Sequence, residues 1–156
     1  MNLDRNGLIS FIRKVFKCDW EGLHGINHWN KVAAYGRTIG SLQGLHKSDL
    51  LIVELFSYLH DACRQNEGID RDHGQRAAVM AFDLNGLYYN LDQRSLNRLC
   101  DAIAEHSFGG ASKDVAIQTC WDADRLDLGR VGVFPSQEYL SPIAAGLVDS
   151  ALELNL

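Results

Sequence analysis

The sequence contains little proline and no long apolar run. Two prolines occur among 156 residues, Pro135 and Pro142, so the first 130 residues contain no proline to break a helix. The longest apolar stretch, from Leu50 to Leu59, is interrupted by Glu54 and Ser57 and is too short to span a bilayer. These two absences favour helical structure and predict a soluble protein without a membrane partner.

The sequence also has no excess of positive charge. Fifteen lysines and arginines stand against 20 aspartates and glutamates, which gives a net charge of −5. Such a balance offers no general electrostatic surface for nucleic acid or anionic lipid, although a local basic pocket stays possible. We therefore expect no extended nucleic acid as a partner.

Paired cysteine motifs are missing as well. The four cysteines, at positions 18, 63, 100 and 120, form no CxxC pair, which argues against a zinc knuckle or a redox motif. The first ten residues include Asp4 and Arg5 and lack the apolar run that export requires. Scattered thiols of this kind suit a reducing compartment, so we expect a cytoplasmic protein.

What is present is helical periodicity, with no alternating strand pattern longer than four residues. Seven helices are predicted, of which the first ends near Lys17 and the second runs from about Asn27 to Leu42. The third runs from a cap at Ser48 and Asp49 to His60 and Asp61, and the fourth from a cap at Asp72 to about Leu84. The last three run from Asp92 to about Glu105, from a cap at Ser112 to about Leu126, and from Ile143 to Leu154. At roughly 100–200 residues per domain, the length predicts one domain, residues 1–156. The expected fold class is all-α. The apolar last helix could pack on this core or on a partner, and the oligomeric state is not predicted.

The third predicted helix leads directly into a polar pair. Eight of the ten residues from Leu50 to Leu59 are apolar, which is typical of a central, buried helix. His60 and Asp61 follow it. Because a buried carboxylate is costly unless it is paired or binds a cation, two interpretations stay open: an ion pair with Arg64, or a metal ion held by His60 and Asp61.

Other polar residues favour the metal interpretation. Five of the six histidines lie beside predicted segment boundaries: His24, His28, His60, His73 and His106. Three carboxylates, Asp122, Asp124 and Asp127, interrupt the otherwise apolar end of the sixth helix. Helical bundles build metal sites from side chains of separate helices. A mixed imidazole and carboxylate set suits Fe, Mn, Zn, Ni or Co better than Ca.

The order His28, His60-Asp61, Asp124 resembles the His…His-Asp…Asp pattern of the HD superfamily of metal-dependent phosphohydrolases. The resemblance extends to the residues around each position, over the chain from about 24 to 127. The similar stretches are 25–32 around the first histidine, 59–64 around the doublet, 72–74 and 102–107 around two further histidines, and 123–126 at the end. The resemblance implies an HD-domain-like helical bundle.

The same resemblance implies a set of metal ligands. His28, His60, Asp61 and Asp124 would hold one divalent ion, and His73 and His106 would complete a second site with Asp61 as the bridge. Two ions of this kind polarise a phosphoryl group and activate water for in-line attack. A structural role is the alternative for each histidine: His28 could cap a helix, His73 could serve the start of one or meet substrate, and His106 could be a surface cation at a helix end.

Residues that would contact substrate are less defined by pattern. Some nucleotide-cleaving members have a glutamate after the doublet, where this sequence has Ala62, Cys63 and Arg64, so that mechanism is not implied. Arg64 could instead hold a substrate phosphate through its planar guanidinium. Lys31 and Arg125 could also face a substrate anion, or form surface ion pairs.

Four further residues have other expected roles. His24 could be an outer ligand, a catalytic base, a substrate contact or a loop residue. We expect His46 in a solvated loop, Asp122 in support of a neighbouring ligand, and Asp127 in a salt bridge or a cap.

Three functions are compatible with these residues. The leading hypothesis is a metal-dependent phosphohydrolase, with Asp61 and Arg64 as its catalytic residues, acting on a small phosphomonoester or phosphodiester, with a nucleotide-like substrate expected. The first alternative is a two-iron oxygenase, because some HD-fold members use a similar ligand set with dioxygen. The second is a non-catalytic regulatory module, which the retention of every core ligand position disfavours.

Overall fold

The protein, described here from a computed structural model over residues 3–153, is all-α as predicted. Within these residues the helices are α1 (Arg5–Val15), α2 (Ile26–Leu42), α3 (Lys47–Leu59), α4 (His73–Leu84), α5 (Gln93–Glu105), α6 (Val115–Leu126), α7 (Pro142–Ala145) and α8 (Val148–Glu153). Two 3₁₀ turns, Leu128–Val131 and Gln137–Tyr139, connect α6 to α7. Among residues 3–153, no helix combines the length and the apolar character that crossing a membrane requires.

Two of the predicted helix caps were wrong. Helix α3 begins at Lys47, one residue before the predicted cap, and the side chain of His46 accepts a hydrogen bond from the Ser48 amide. His46 is therefore a capping residue and not simply part of a solvated loop. Helix α6 is capped by Asp114, whose Oδ1 accepts from the amides of the second and third helical residues, while Ser112 accepts from the Asp114 amide itself.

The last predicted helix is broken in two. Helix α7 ends at Ala145, and the amide of its C-cap, Gly146, bonds to the Pro142 carbonyl. The Leu147 amide then bonds to the Ala144 carbonyl in the tighter pattern of a 3₁₀ turn. Leu154, the predicted end, lies outside the described residues. The apolar side chains of this segment join a cluster with Ile39 and Leu126, so the segment packs on α2 and α6 of its own chain.

Helix α3 forms the centre of the main core. Its side chains at Ile52, Leu55, Phe56 and Leu59 are fully buried, as the apolar run predicts. Helices α2, α5 and α6 all pack against it. His60 and Asp61, the two residues that follow this buried helix, are buried as well.

The start of α4 lies so close to the end of α5 that there is no room for a side chain at Gly74. A Cβ on Gly74 would lie 2.8 Å from the Ile103 carbonyl oxygen and 2.9 Å from that of Ala104. Glycine therefore allows the two helix ends to approach closely. This approach sets the spacing of His73, the first residue of α4, and His106, the C-cap of α5.

Candidate metal centre

Six of the predicted site residues meet at one end of the bundle. His28 lies in the first turn of α2, and His60 and Asp61 are the two residues after α3. His73 lies at the start of α4, His106 at the end of α5, and Asp124 in the last turn of α6. Five of them are buried, and Asp124 is partly exposed. Helices that are distant in sequence therefore bring together every residue of the predicted ligand set.

The carboxylate of Asp61 lies between two groups of imidazoles. Its Oδ1 is 3.1 Å from His73 Nε2 and 3.6 Å from His106 Nε2. Its Oδ2 is 3.8 Å from His28 Nε2 and 3.7 Å from His60 Nε2. One carboxylate thus presents a different oxygen to each group, which is the geometry of a bridging ligand.

Asp124 completes the first group. Its Oδ1 lies 3.3 Å from His28 Nε2 and 3.7 Å from His60 Nε2. The ligand atoms of these three residues all lie within 4.8 Å of one another, and the same holds for His60, Asp61 and His106. Both trios have the spacing of a set that could surround a metal ion.

The outward-facing nitrogens of the four imidazoles are held by hydrogen bonds. His28 Nδ1 donates to Asp127 Oδ2 at 2.8 Å. The other three Nδ1 atoms donate to main-chain carbonyls of Phe56, Asp70 and Ile103. A neutral imidazole that donates from Nδ1 presents a lone pair at Nε2, so these bonds set the tautomer that a metal ligand needs.

The Nε2 atoms face one another in close pairs. His28 and His60 are 3.1 Å apart through these atoms, and His73 and His106 are 3.0 Å apart. Two lone pairs at this separation repel unless a proton or a cation lies between them. Four imidazoles and two carboxylates therefore fit one or two divalent transition-metal ions.

The pKa shifts follow from burial and close charges. Burial lowers the pKa of His60 to about 3, outweighing the nearby carboxylates, so this ring is neutral at physiological pH. Burial alone would raise the pKa of Asp61, but the histidines around it hold it well below its usual range. The pKa of Asp124 is lowered against the effect of burial, mainly by the proximity of His28. Both carboxylates are therefore ionised.

A cavity of about 480 Å³ opens onto this cluster. Its polar wall includes Asp61, His106, Asp124 and Ser107, and much of its remaining wall comes from the segments after α5 and α6. The volume is that of a site for a small molecule. Substrate could therefore reach the ligand cluster from solvent by this route.

Three arginines line the cavity and differ in their hydrogen bonds. Arg64 donates from Nε to Asp61 Oδ1 at 3.1 Å and from Nη1 to the Gly68 carbonyl, and its Nη2 makes no hydrogen bond to residues 3–153. Arg125 donates to the carbonyls of Gly109 and Tyr139. Arg130 donates to main-chain carbonyls from both Nε and Nη1. The ion pair of Arg64 with Asp61, one of the two interpretations left open, is thus present.

His24 and Lys31 lie on different sides of the cluster. His24 lines the cavity, and its Nδ1 lies 3.0 Å from Asp61 Oδ2. Lys31 lies outside that cavity, in a separate depression behind His28, with Nζ 3.4 Å from Asp127 Oδ1. Asp122 was expected to support a neighbouring ligand, but its hydrogen bonds come from the Gln118 side chain and the Ser141 amide.

The expectation of a salt bridge or a cap for Asp127 is confirmed, since Asp127 is the C-cap of α6 and its Oδ1 lies 3.4 Å from Lys31 Nζ. Its bond to His28 and the position of Arg130 at the cavity were not predicted. Asp127 follows Asp124 by three residues, a spacing that puts both on one helix face and was readable in the sequence. Arg130 follows the end of α6 in a 3₁₀ turn, where no periodicity places a side chain.

Comparison with solved structures identifies the architecture. A crystal structure of a predicted HD superfamily hydrolase from an uncultured Thermotogales bacterium aligns over 97% of this chain and 87% of its own, with a TM-score of 0.74 and 21% sequence identity. The chain has the HD-domain fold. No family model matches the sequence, and no curated protein matches it. The expected HD-domain-like bundle is therefore confirmed by fold.

Proposed function

We propose that the protein is a metal-dependent phosphohydrolase that acts on a small phosphomonoester or phosphodiester, with a nucleotide-like substrate. The observation that carries this proposal is the cavity of about 480 Å³, which joins the Asp61 and Asp124 carboxylates to an arginine-lined wall. Arginine is suited to phosphate because its planar fork can donate two parallel hydrogen bonds. A cavity of this size takes a small molecule rather than an extended nucleic acid.

The cluster of histidines and aspartates is suited to bind one or two divalent ions of Fe, Mn, Zn, Ni or Co. His28, His60 and Asp124 would hold one ion, His73 and His106 the other, and Asp61 would serve both through its two oxygens. When bound, such ions polarise a phosphoryl oxygen and lower the pKa of a coordinated water. The hydrogen bonds on Nδ1 keep each ring in the orientation that ligation requires.

Arg64 is the residue that we propose to bind the substrate phosphate. Its Nε is held on Asp61, and Gly68 accepts from its Nη1, so the guanidinium has a fixed direction at the cavity wall. Its Nη2 keeps donors for a substrate oxygen. Arg125 bonds to two main-chain carbonyls, which makes it a weaker candidate for phosphate binding than Arg64.

His24 would contribute by orienting Asp61. It donates from Nδ1 to Asp61 Oδ2 while Arg64 donates to Oδ1, so both oxygens of the Asp61 carboxylate are held by hydrogen bonds.

We also propose a cytoplasmic location. All four cysteines are free thiols, which is consistent with a reducing compartment.

Hydrolysis under anaerobic conditions tests the function. Protein stripped with a chelator and reloaded separately with Mn²⁺, Fe²⁺, Co²⁺, Ni²⁺ or Zn²⁺ is assayed with aryl phosphomonoesters and phosphodiesters and with nucleotides. We expect metal-dependent release of phosphate or of the alcohol without dioxygen, and no activity in the stripped protein. Activity that requires dioxygen would favour the two-iron oxygenase instead. The variant His46→Asn, which keeps a capping acceptor, is the control for a histidine outside the cluster.

A further inference from the structure

Two aromatic side chains stand exposed at the wall of the cavity that contains Asp61. The relative exposure of Phe108 is 60% and that of Tyr139 is 43%, and both residues line the cavity. Val131, also on this wall, is 39% exposed. Large apolar side chains grouped beside a polar site are typical of a surface that recognises the apolar part of a ligand.

Arg125 ties together the two segments that carry these aromatic residues. Its Nη1 donates to the Tyr139 carbonyl at 2.8 Å, and its Nη2 donates to the carbonyl of Gly109, the residue after Phe108. Its guanidinium carbon lies 5.7 Å from the Tyr139 ring centroid and 5.6 Å from that of Trp121. The Phe108 segment and the Tyr139 turn are therefore held in one fixed arrangement around a single side chain.

Close packing at two glycines reinforces this arrangement. A Cβ on Gly109 would lie 2.5 Å from Trp121 Cη2, so the segment lies directly on the indole ring. A Cβ on Gly110 would come within 3.6 Å of the Tyr139 ring. The aromatic wall is thus organised before any ligand binds, which reduces the entropy lost on binding.

The cavity has two chemically different parts. Asp61, Asp124 and Arg64 make one part polar and charged, whereas Phe108 and Tyr139 make the other part aromatic. We infer that Phe108 and Tyr139 bind a planar aromatic ring carried by the leaving group of the substrate, with Phe108 as a specificity-determining residue and Arg125 as the positioning residue of the wall. The inference deepens the proposed function and rests on it for the placement of the phosphate end.

Binding of two phosphonates, which are not hydrolysed, tests the inference without turnover. Titration calorimetry of the metal-loaded protein compares 1-naphthylphosphonate with methylphosphonate. We expect the naphthyl compound to bind about tenfold more tightly to the parental protein, because aromatic stacking adds to the burial of apolar surface. Phe108→Ala should reduce this preference to within about twofold, and Phe108→Tyr should restore it. Phe134→Ala, at a 76% exposed phenylalanine outside the cavity lining, should leave the preference unchanged.

The outcomes separate this inference from the proposed function. Equal binding of the two phosphonates by the parental protein, no binding of either, or an undiminished preference in Phe108→Ala would overturn the aromatic-ring inference. If the naphthyl preference depends on Phe108 as expected but no phosphoester is hydrolysed, the aromatic wall is supported and the hydrolase proposal alone fails. If a phosphoester is hydrolysed but the naphthyl preference is absent, the hydrolase proposal is supported and the aromatic-ring inference alone fails.

Discussion

Asp127 Oδ2 lies 2.8 Å from His28 Nδ1, on the side of the imidazole ring opposite the ligand cluster. The carboxylate is fully buried, and it fixes the tautomer that presents His28 Nε2 to Asp124 and His60. A carboxylate in this position also increases the basicity of the imidazole that it holds. We therefore include Asp127 in the proposed metal centre, as a residue that orients a ligand and is not itself a ligand.

Replacing Asp127 by asparagine should weaken metal binding while the fold survives. We expect Asp127→Asn to lower metal affinity at least about tenfold, as is usual when the hydrogen-bond partner of a metal-ligating histidine is lost. Competition with a chromogenic chelator measures the change. Asp122→Asn is the matched control, because Asp122 is equally buried but bonds to Gln118 and Ser141 away from the cluster. Unchanged affinity in Asp127→Asn would remove Asp127 from the centre.

The second group of ligands can be tested by stoichiometry. His73→Ala and His106→Ala should each lower bound metal from two ions per chain towards one, since their Nε2 atoms lie 3.1 Å and 3.6 Å from Asp61 Oδ1. Elemental analysis by mass spectrometry gives the metal content, and circular dichroism confirms that the helices persist. Parental metal content in both variants would mean that a single ion is bound by the other ligands.

Gly74 links the packing of the bundle to the second group of ligands. Gly74→Ala would place a methyl group 2.8 Å from the Ile103 carbonyl oxygen, so α4 must move away from α5 at a cost of roughly 1–3 kcal/mol in the free energy of unfolding. The movement should also separate His73 from His106 and reduce occupancy of the second ion. Denaturant unfolding and metal analysis measure the two effects.

Gly146→Ala supplies the control for this variant. Its Cβ would meet carbonyl oxygens at 3.5 Å and beyond, and its φ of −69° suits alanine, so stability should be unchanged or higher. A Gly74→Ala protein with parental stability and metal content would show that the close approach is not needed.

Arg64→Lys separates phosphate binding from support of Asp61. Lysine keeps the charge but loses the planar fork, so a lost charge-assisted hydrogen bond of about 1.5–3 kcal/mol should lower kcat/KM at least tenfold. Metal content should remain at the parental value, which elemental analysis checks beside steady-state kinetics. If metal content falls together with activity, the role of Arg64 is to hold Asp61, and the substrate role is wrong.

Much of the fold was predictable from the sequence because its signals are local. The apolar run before His60 predicted a buried central helix, and Ile52, Leu55 and Phe56 are fully buried in it. Asp92 was predicted to start the fifth helix, and it is the N-cap of α5, with its side chain accepting from the Ser95 amide at 2.9 Å. The ligand set came from a resemblance in residue order, and the fold brings all six residues together.

The remaining features depend on tertiary contacts that no local pattern encodes. The Ser48 cap failed because α3 begins one residue earlier, with His46 in the cap position and its ring accepting from the Ser48 amide. The last helix broke at Gly146, and the segment packs on α2 and α6. Lys31 and Arg125 neighbour ligand positions in sequence, yet one lies behind His28 and the other bonds to two carbonyls. Side-chain direction at a cavity wall follows from the packing of distant segments.

The metal content of Asp61→Ala tests the shared-carboxylate centre most directly. Asp61 presents one oxygen to each group of imidazoles, so its removal should deprive both positions of a ligand. Elemental analysis of parental protein, Asp61→Ala and the His46→Asn control, purified in parallel, gives ions per folded chain. We expect about two ions per chain in the parental protein and the control, and almost none in Asp61→Ala, with phosphoester hydrolysis lost in parallel. An Asp61→Ala protein that retains the parental metal content and rate would contradict the proposed centre.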